Sequence, residues 1–475
     1  MKKLFIFILC ALTVLPICSC AKKIASDKYN IEITYNEDNT LDGVMEFTFN
    51  NRYDNAFTYL EFEIYANAYR ENAKYSPIST QYVSKAYPNG ISYGNINVGS
   101  CKCGESDLSF EITGEDENIL KVALLQAVYP GESVTVKVIY GITLANVMHR
   151  LGYTDKTVNL AEFYPVLCAV ENGNYYECVY SSSGDPFYTA TADYSVKLNV
   201  PGRYTVAATG TAKSCAAGDN TVFEFTADNV RDFAIILSDK YNIAKQTCGG
   251  ISVNYYYLSD ETPETTLNGA VEMLEWYQSK FGEYVYPVYN IAQTDFVYAG
   301  MEYPCLVYIS DKLTGKDLTY TLAHETAHQW WYGMVGCNEY EEAYIDEGLA
   351  EYSSYLFFDE HDKYNIDSEA IISSALSGYK SYYDVYKAIS GEVNTVMNRK
   401  LTDFAGEIEY LNIAYNKSLL MFDGYETAAG RAKAYKALNK FYTRNLYGIA
   451  GYDDIVSSFG LGEYFSAYVE GKVLL

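Results

Sequence analysis

The sequence predicts two folded parts in series, an N-terminal β-sandwich domain followed by a mainly helical α+β domain. Three observations carry this. The chain has 475 residues, more than one ordinary domain needs. Hydrophobic residues make up 49% of it and charged residues 20%, which suits large apolar cores rather than disorder. Near residue 257 the pattern changes from period-two alternation to helical spacing. The expected organisation is an export segment over 1–19, a β-sandwich over 20–257 and the helical domain over 258–475.

The export segment comes first. Lys2 and Lys3 form a positive start, and Leu4 to Val14 is an apolar run too short to span a bilayer. It ends Ile17-Cys18-Ser19-Cys20, with an apolar residue at −3 and a small one at −1 before a cysteine. That ending resembles a bacterial lipobox, and the resemblance implies cleavage before Cys20 and lipidation of its thiol. A plain secretory signal cut nearby is the alternative. Either way the mature chain is expected outside the cytoplasmic membrane, in the first case anchored to it by lipid. Outside this segment no run is long and apolar enough to span a bilayer.

From about 28 to 256 short alternating segments dominate: 31–35, 44–49, 134–140, 194–200 and 222–225. Turn clusters at 39–43 and 129–132 separate some of them, as in a β-sandwich. A last strand, 251–258, leads into the helical pattern. Thr262-Pro263-Glu264 opens a helix with proline in its first turn, and Val271, Leu274, Trp276 and Tyr277 give it an apolar face. A strand-like stretch over 288–309 and a long helix from about Asp317 follow. Thr314 with Asp317 three residues on is a weak capping signal for that helix.

Formal net charge is −26, which argues against nucleic-acid binding, because phosphate backbones require a basic surface. Eight cysteines remain beyond Cys20: Cys101, Cys103, Cys168, Cys178, Cys215, Cys248, Cys305 and Cys337. An exported chain meets an oxidising environment. Cys168 and Cys178 flank a turn-like segment that a disulfide could bridge, but the sequence leaves pairing and free buried thiols both open.

The chemistry concentrates at His324-Glu325-Thr326-Ala327-His328. On a helix, residues i and i+4 share a face, so two imidazoles can reach one metal, and Glu325 can reach a water beside it. The chain has only four histidines, so chance rarely yields this spacing. A catalytic zinc needs a third protein ligand and one open position. Glu347, eighteen residues beyond His328 in the string Asp346-Glu347-Gly348, supplies the carboxylate. Glu351, one turn later, is expected to be a solvated charge, with contact to a ligand imidazole as the alternative.

Together these residues resemble the aminopeptidase N family of zinc metallopeptidases, the gluzincins, and in particular a short bacterial lipoprotein-type member. Gly300-Met301-Glu302 within Ala299 to Pro304 looks like the family's GxMEN exopeptidase motif, with Ala299 at its leading glycine and Tyr303 at its asparagine. The resemblance implies that this strand lines the substrate backbone and that Glu302 binds the α-ammonium. Tyr415-Asn416-Lys417-Ser418 looks like the family's YxKG segment, with serine for glycine, and implies that Tyr415 stabilises the tetrahedral oxyanion. Tyr415 is preferred over Tyr410 by Lys417 alone. The resemblance further implies a thermolysin-like catalytic domain, one Zn2+ per chain and peptide substrates. Larger members continue with a helical roof domain, and the sequence ends about sixty residues past Tyr415, so that roof is expected to be absent or supplied by a partner.

The expected function is therefore zinc-dependent aminopeptidase action through a metal-activated water, with Glu325 as general base. Two rivals remain at this stage. A zinc endopeptidase would keep the metal without using Glu302 as an amine anchor. A non-enzymatic surface binding lipoprotein would keep the β-domain and a decaying site, although a binding role gives no reason for Glu325 beside the metal.

Overall fold

The computed structural model of the chain describes residues 26–475; the export segment and Cys20 lie outside the described residues. An eight-stranded sheet forms the first layer. Its order is Thr211–Ala217, Asn220–Val230, Ala192–Pro201, Asp27–Tyr35, Thr40–Asn50, Ser133–Thr143, Asn95–Cys103 and Ser106–Leu108. All neighbours are antiparallel except Asp27–Tyr35 against Ala192–Pro201. Strand Asp27–Tyr35 alternates buried and outward residues, as a one-sided sheet requires. Its layer meets a four-stranded sheet containing Phe57–Glu63 and Ile119–Val128. Phe47 packs edge-on against Phe62 at 5.3 Å, and Phe49 against Phe57 at 5.2 Å. These aromatic contacts close the sandwich core.

A separate five-stranded sheet carries the second half. Its order is Asn242–Cys248, Ile251–Tyr257, Val288–Thr294, Leu306–Ser310 and the short edge Gly300–Met301. The middle three are parallel; Val288–Thr294 and Leu306–Ser310 are wholly buried, while Ile251–Tyr257 buries alternate residues. This corrects the expected boundary at 257. Residues 242–257 read as the last strands of the sandwich because they alternate like the others. They pair instead with Val288–Thr294, so the two groups of sheets divide between Ser238 and Asn242.

Four long helices follow: α1 (Pro263–Phe281), α2 (Gly315–Ala327), α3 (Glu339–Asp359) and α4 (Ser368–Ser390). Proline occupies the first turn of α1, where its missing N–H is not needed. Helix α2 starts two residues before the expected position; Thr314 is its N-cap residue, where the signal places it, but makes no side-chain cap hydrogen bond. Asn338 caps α3 by accepting from the Glu341 backbone N–H at 3.2 Å. Among the described residues no helix is long and apolar enough to cross a membrane. The turn between Cys168 and Cys178 is a hairpin, Ala169–Glu171 against Asn174–Tyr176. Its two thiols are free and buried on either side of Glu63.

The two halves are joined through Arg231, a fully buried guanidinium in the sandwich half. It donates to the Tyr332 carbonyl at 2.7 Å, the Thr189 carbonyl at 3.0 Å and the Gly448 carbonyl. Gly336 leaves room for it, since a Cβ there would stand 2.2 Å from the guanidinium carbon. Arg231→Met leaves the Tyr332 and Thr189 carbonyls without a donor, while Gly448 keeps the Gly336 N–H, and is expected to destabilise the protein by at least about 2 kcal/mol. The check is a thermal melt of both proteins at one scan rate; an unchanged midpoint would remove Arg231 from this role.

Candidate active site

Helix α2 ends at the site. His324 lies in its last turn and His328 caps it, the His328 N–H donating to the His324 carbonyl at 3.2 Å. The i, i+4 spacing puts both rings on one face, edge to face, with their Nε2 atoms 2.9 Å apart. Glu347 arrives from α3 and places Oε2 3.4 Å from each Nε2. Gly348 permits that approach, because a Cβ there would lie 2.4 Å from the Ser418 Cβ. All three side chains are buried, and their ligand atoms lie within 4.8 Å of one another.

The donor set fits a metal. Ligands at about 2.0–2.1 Å from a tetrahedral centre stand about 3.3 Å apart, close to the spacings found here. Glu347 Oε2 has no hydrogen-bond donor although it is buried, and it faces the two imidazoles. Two neutral imidazoles and a carboxylate are a catalytic-zinc set, which leaves a fourth position open. Burial opposes ionisation of Glu347, yet the imidazoles hold its carboxyl well below the usual range.

The outer partners orient these ligands. His328 Nδ1 lies 2.7 Å from Asp346 Oδ1 and 3.2 Å from the Trp331 carbonyl. His324 Nδ1 lies 3.1 Å from Glu351 Oε1, near enough to pair but off the line of a straight hydrogen bond. Glu351 is thus not the solvated charge expected; its other oxygen accepts from Tyr320 at 2.5 Å. Asp346 is a site residue that sequence reasoning misses. Its signal was available, since residue 346 precedes a ligand on the same helix.

A cavity of about 500 Å³ opens over this cluster. Glu325, Glu302, Gly300, Met301, Tyr410 and Tyr415 line it together with residues of both halves. Glu325 is one residue on from His324; burial pushes its carboxyl up to about 7, against the two imidazoles. The edge strand Gly300–Met301 passes directly over it. A Cβ on residue 300 would stand 2.3 Å from Glu325 Oε1, so the strand approaches this closely only as glycine. Met301 Sδ accepts from Arg150 Nε at 3.2 Å, and Arg150 also pairs with Asp185.

Glu302 is 5% exposed, and its Oε1 has no donor. Burial raises its pKa well above the ordinary carboxylate value. Tyr303, the departure from the motif, turns away from the cavity and donates to Glu162 Oε1 at 2.9 Å. The substitution therefore leaves the cavity wall unaltered. Tyr415 donates to Glu347 Oε1, and so does Tyr410 at 3.3 Å. Apart from Cys20, which lies outside the described residues, every expected site residue lines the cavity or, as His328 does, belongs to the cluster beneath it; Glu351 and Tyr410 join the lining, and Asp346 supports His328.

The family model described as the peptidase family M1 domain matches residues 265–466. Endoplasmic reticulum aminopeptidase 1 of Rattus norvegicus is 28% identical over 138 residues, 26% of this chain and 15% of that one. Endoplasmic reticulum aminopeptidase 2 of Homo sapiens is 24% identical over 267 residues, 50% of this chain and 26% of that one. The chain thus spans about a quarter or less of the length of these curated relatives. A crystal structure of an M1 zinc metallopeptidase from Deinococcus radiodurans shares the fold, with a TM-score of 0.68 at 15% identity and 95% of each chain covered. Residues 265–466 thus match the peptidase family M1 domain, and the chain shares the fold of an M1 zinc metallopeptidase over 95% of its length.

Proposed function

We propose that the protein is a zinc-dependent aminopeptidase with one zinc ion per chain, held by His324, His328 and Glu347. The observation that carries this reading is a buried His2Glu set beside Glu325, in a cavity whose wall holds the unpartnered carboxylate of Glu302. Bound there, zinc supplies Lewis acidity, polarising a carbonyl and lowering the pKa of a water towards neutrality. The remaining steps belong to the chain's own residues. Glu325 takes the proton of the attacking water and returns it to the leaving amine. Tyr415 donates to the oxyanion that forms on the scissile carbonyl. The strand Gly300–Met301 lies along the cavity and aligns the substrate backbone. Glu302 accepts from the substrate's α-ammonium, which makes cleavage start at the N-terminus.

The first test separates metal binding from proton transfer. Glu325→Gln is expected to retain zinc by elemental analysis while kcat on aminoacyl anilides falls by at least about a hundredfold. Wild-type protein that takes up no zinc on reconstitution would sink the reading.

The second test separates exopeptidase from endopeptidase action. A charge-assisted hydrogen bond typically contributes about 1.5–3 kcal/mol, and its loss also frees the reacting end of the substrate. Glu302→Ala is therefore expected to lower kcat/KM on free aminoacyl substrates by at least about tenfold. Zinc content stays unchanged, and N-acetylated substrates are poor for wild type. Equal cleavage of free and blocked peptides by both proteins would transfer the reading to an endopeptidase.

We also propose that the protein is lipid-anchored outside the cytoplasmic membrane through Cys20, on the strength of the lipobox-like sequence ahead of it. Cys20→Ser is expected to move the protein from the membrane fraction to the soluble one and to abolish lipid labelling. Identical fractionation and labelling of the two versions would exclude the anchor.

A further inference from the structure

The two phenols on Glu347 come from one irregular stretch of helix. Tyr410 ends the short helix Glu407–Tyr410, and Tyr415 lies within a π-helical segment, Leu411–Lys417. The spacing of five matters. At 100° per residue, positions five apart on an α-helix point about 140° away from each other, so one carboxylate could not receive both. A π-helix closes its hydrogen bonds from i to i+5, which returns residue i+5 to nearly the same face. Ser418 supports that turn, its hydroxyl donating to the Ile413 carbonyl five residues back at 3.2 Å. Both hydroxyls accordingly reach the same atom, Glu347 Oε1, while Oε2 faces the imidazoles.

The two phenols differ in freedom. Tyr410 is 2% exposed. The Phe404 ring packs edge-on against it at 5.4 Å. The backbone at Gly184 presses on its hydroxyl, where a Cβ would stand 2.7 Å away. Tyr415 is half-buried, stacked on His324 at 5.9 Å, and open to the cavity. Both phenols line the cavity, but Tyr410 is the more tightly enclosed of the two.

We propose that Tyr410 is a positioning residue for the metal-ligand carboxylate, holding Glu347 Oε1 when Tyr415 leaves that oxygen for the substrate's oxyanion. The π-helical turn is the device that gives one oxygen two donors. Without Tyr410, each departure of Tyr415 would leave a buried carboxylate oxygen with no donor, which is costly, and Glu347 would be free to rotate away from the metal. Only the departure of Tyr415 rests on the peptidase reading; the hold of Tyr410 on Glu347 stands on geometry.

The test therefore begins without substrate. Zinc affinity is measured by competition with a chromophoric chelator, and ligand geometry by the visible spectrum of cobalt-substituted protein. Loss of an outer-shell partner commonly weakens metal binding by about 10–100-fold, and Tyr410→Phe is expected to weaken zinc binding by about tenfold or more and to shift the cobalt bands. Tyr415→Phe is expected to hold zinc more tightly than Tyr410→Phe does, while losing more of kcat. Wild-type zinc affinity with an unchanged cobalt spectrum in Tyr410→Phe would overturn the proposal, whatever the activity. If that variant does not fold, a crystal structure of the wild-type zinc protein with a phosphinic peptide decides. Tyr415 on the phosphinyl oxygen with Tyr410 on Glu347 supports the proposal; any other arrangement of the two hydroxyls overturns it. The zinc and cobalt readouts do not depend on peptide cleavage, so failure of the aminopeptidase reading remains distinguishable.

Discussion

The structure is organised around burying ionisable groups where two helices meet. His324, His328, Glu347, Asp346 and Glu325 are all at or below 8% exposure. Buried charge is tolerable only when paired and hydrogen-bonded. The ligands accordingly sit in a web: Asp346 and the Trp331 carbonyl on His328, Glu351 on His324, and two phenols on Glu347. Close approach of the elements follows from small residues at the contacts. Gly300 lets the edge strand reach Glu325, and Gly348 lets α3 reach Ser418.

The sandwich half takes part in the same constraint. The strand that carries Glu302 lies at a sheet edge, where it has one neighbouring strand only. Its other support comes from the N-terminal half. Arg150 reaches Met301, Tyr303 reaches Glu162, and Arg150 with Asp185 forms part of the cavity wall. Arg231 ties the loop after the zinc helix to the same half through backbone carbonyls. The cavity is thus a product of both halves, and the sandwich fixes the geometry of a strand that the catalytic sheet alone would leave loose.

The readable part of the site was the part set by local periodicity. Two histidines at i and i+4 share a face in any helix, and a chain with four histidines rarely places two of them so by accident. Glu347 was readable from its spacing in the string. The groups that escaped act through tertiary contact. Glu351 looked like surface charge because nothing local says that His324 lies above it. Tyr410 escaped because Lys417 alone singles out Tyr415, and no residue in 411–417 announces the π-turn that brings both phenols to one oxygen. The strands at 242–257 alternate as well as those of the sandwich, and only their partners reveal which sheet they join.

The abundance of tyrosine finds its reason in the same electrostatics. The chain carries 61 acidic residues against 35 basic ones, so many carboxylates must do without a cation. A phenol can serve them, because it donates one strong hydrogen bond, adds no charge and buries an aromatic body. Tyr303 donates to Glu162 at 2.9 Å, Tyr188 to Glu171 at 2.5 Å and Tyr176 to Glu341 at 2.7 Å. Tyr320 on Glu351 extends the device to the partner of His324. A lysine or arginine in these places would hold its carboxylate too, but near the metal it would add a competing positive charge. A phenol leaves the carboxylate's charge available to the ligand set. Tyr410 and Tyr415 on Glu347 are this general arrangement carried to the carboxylate that faces the two imidazoles.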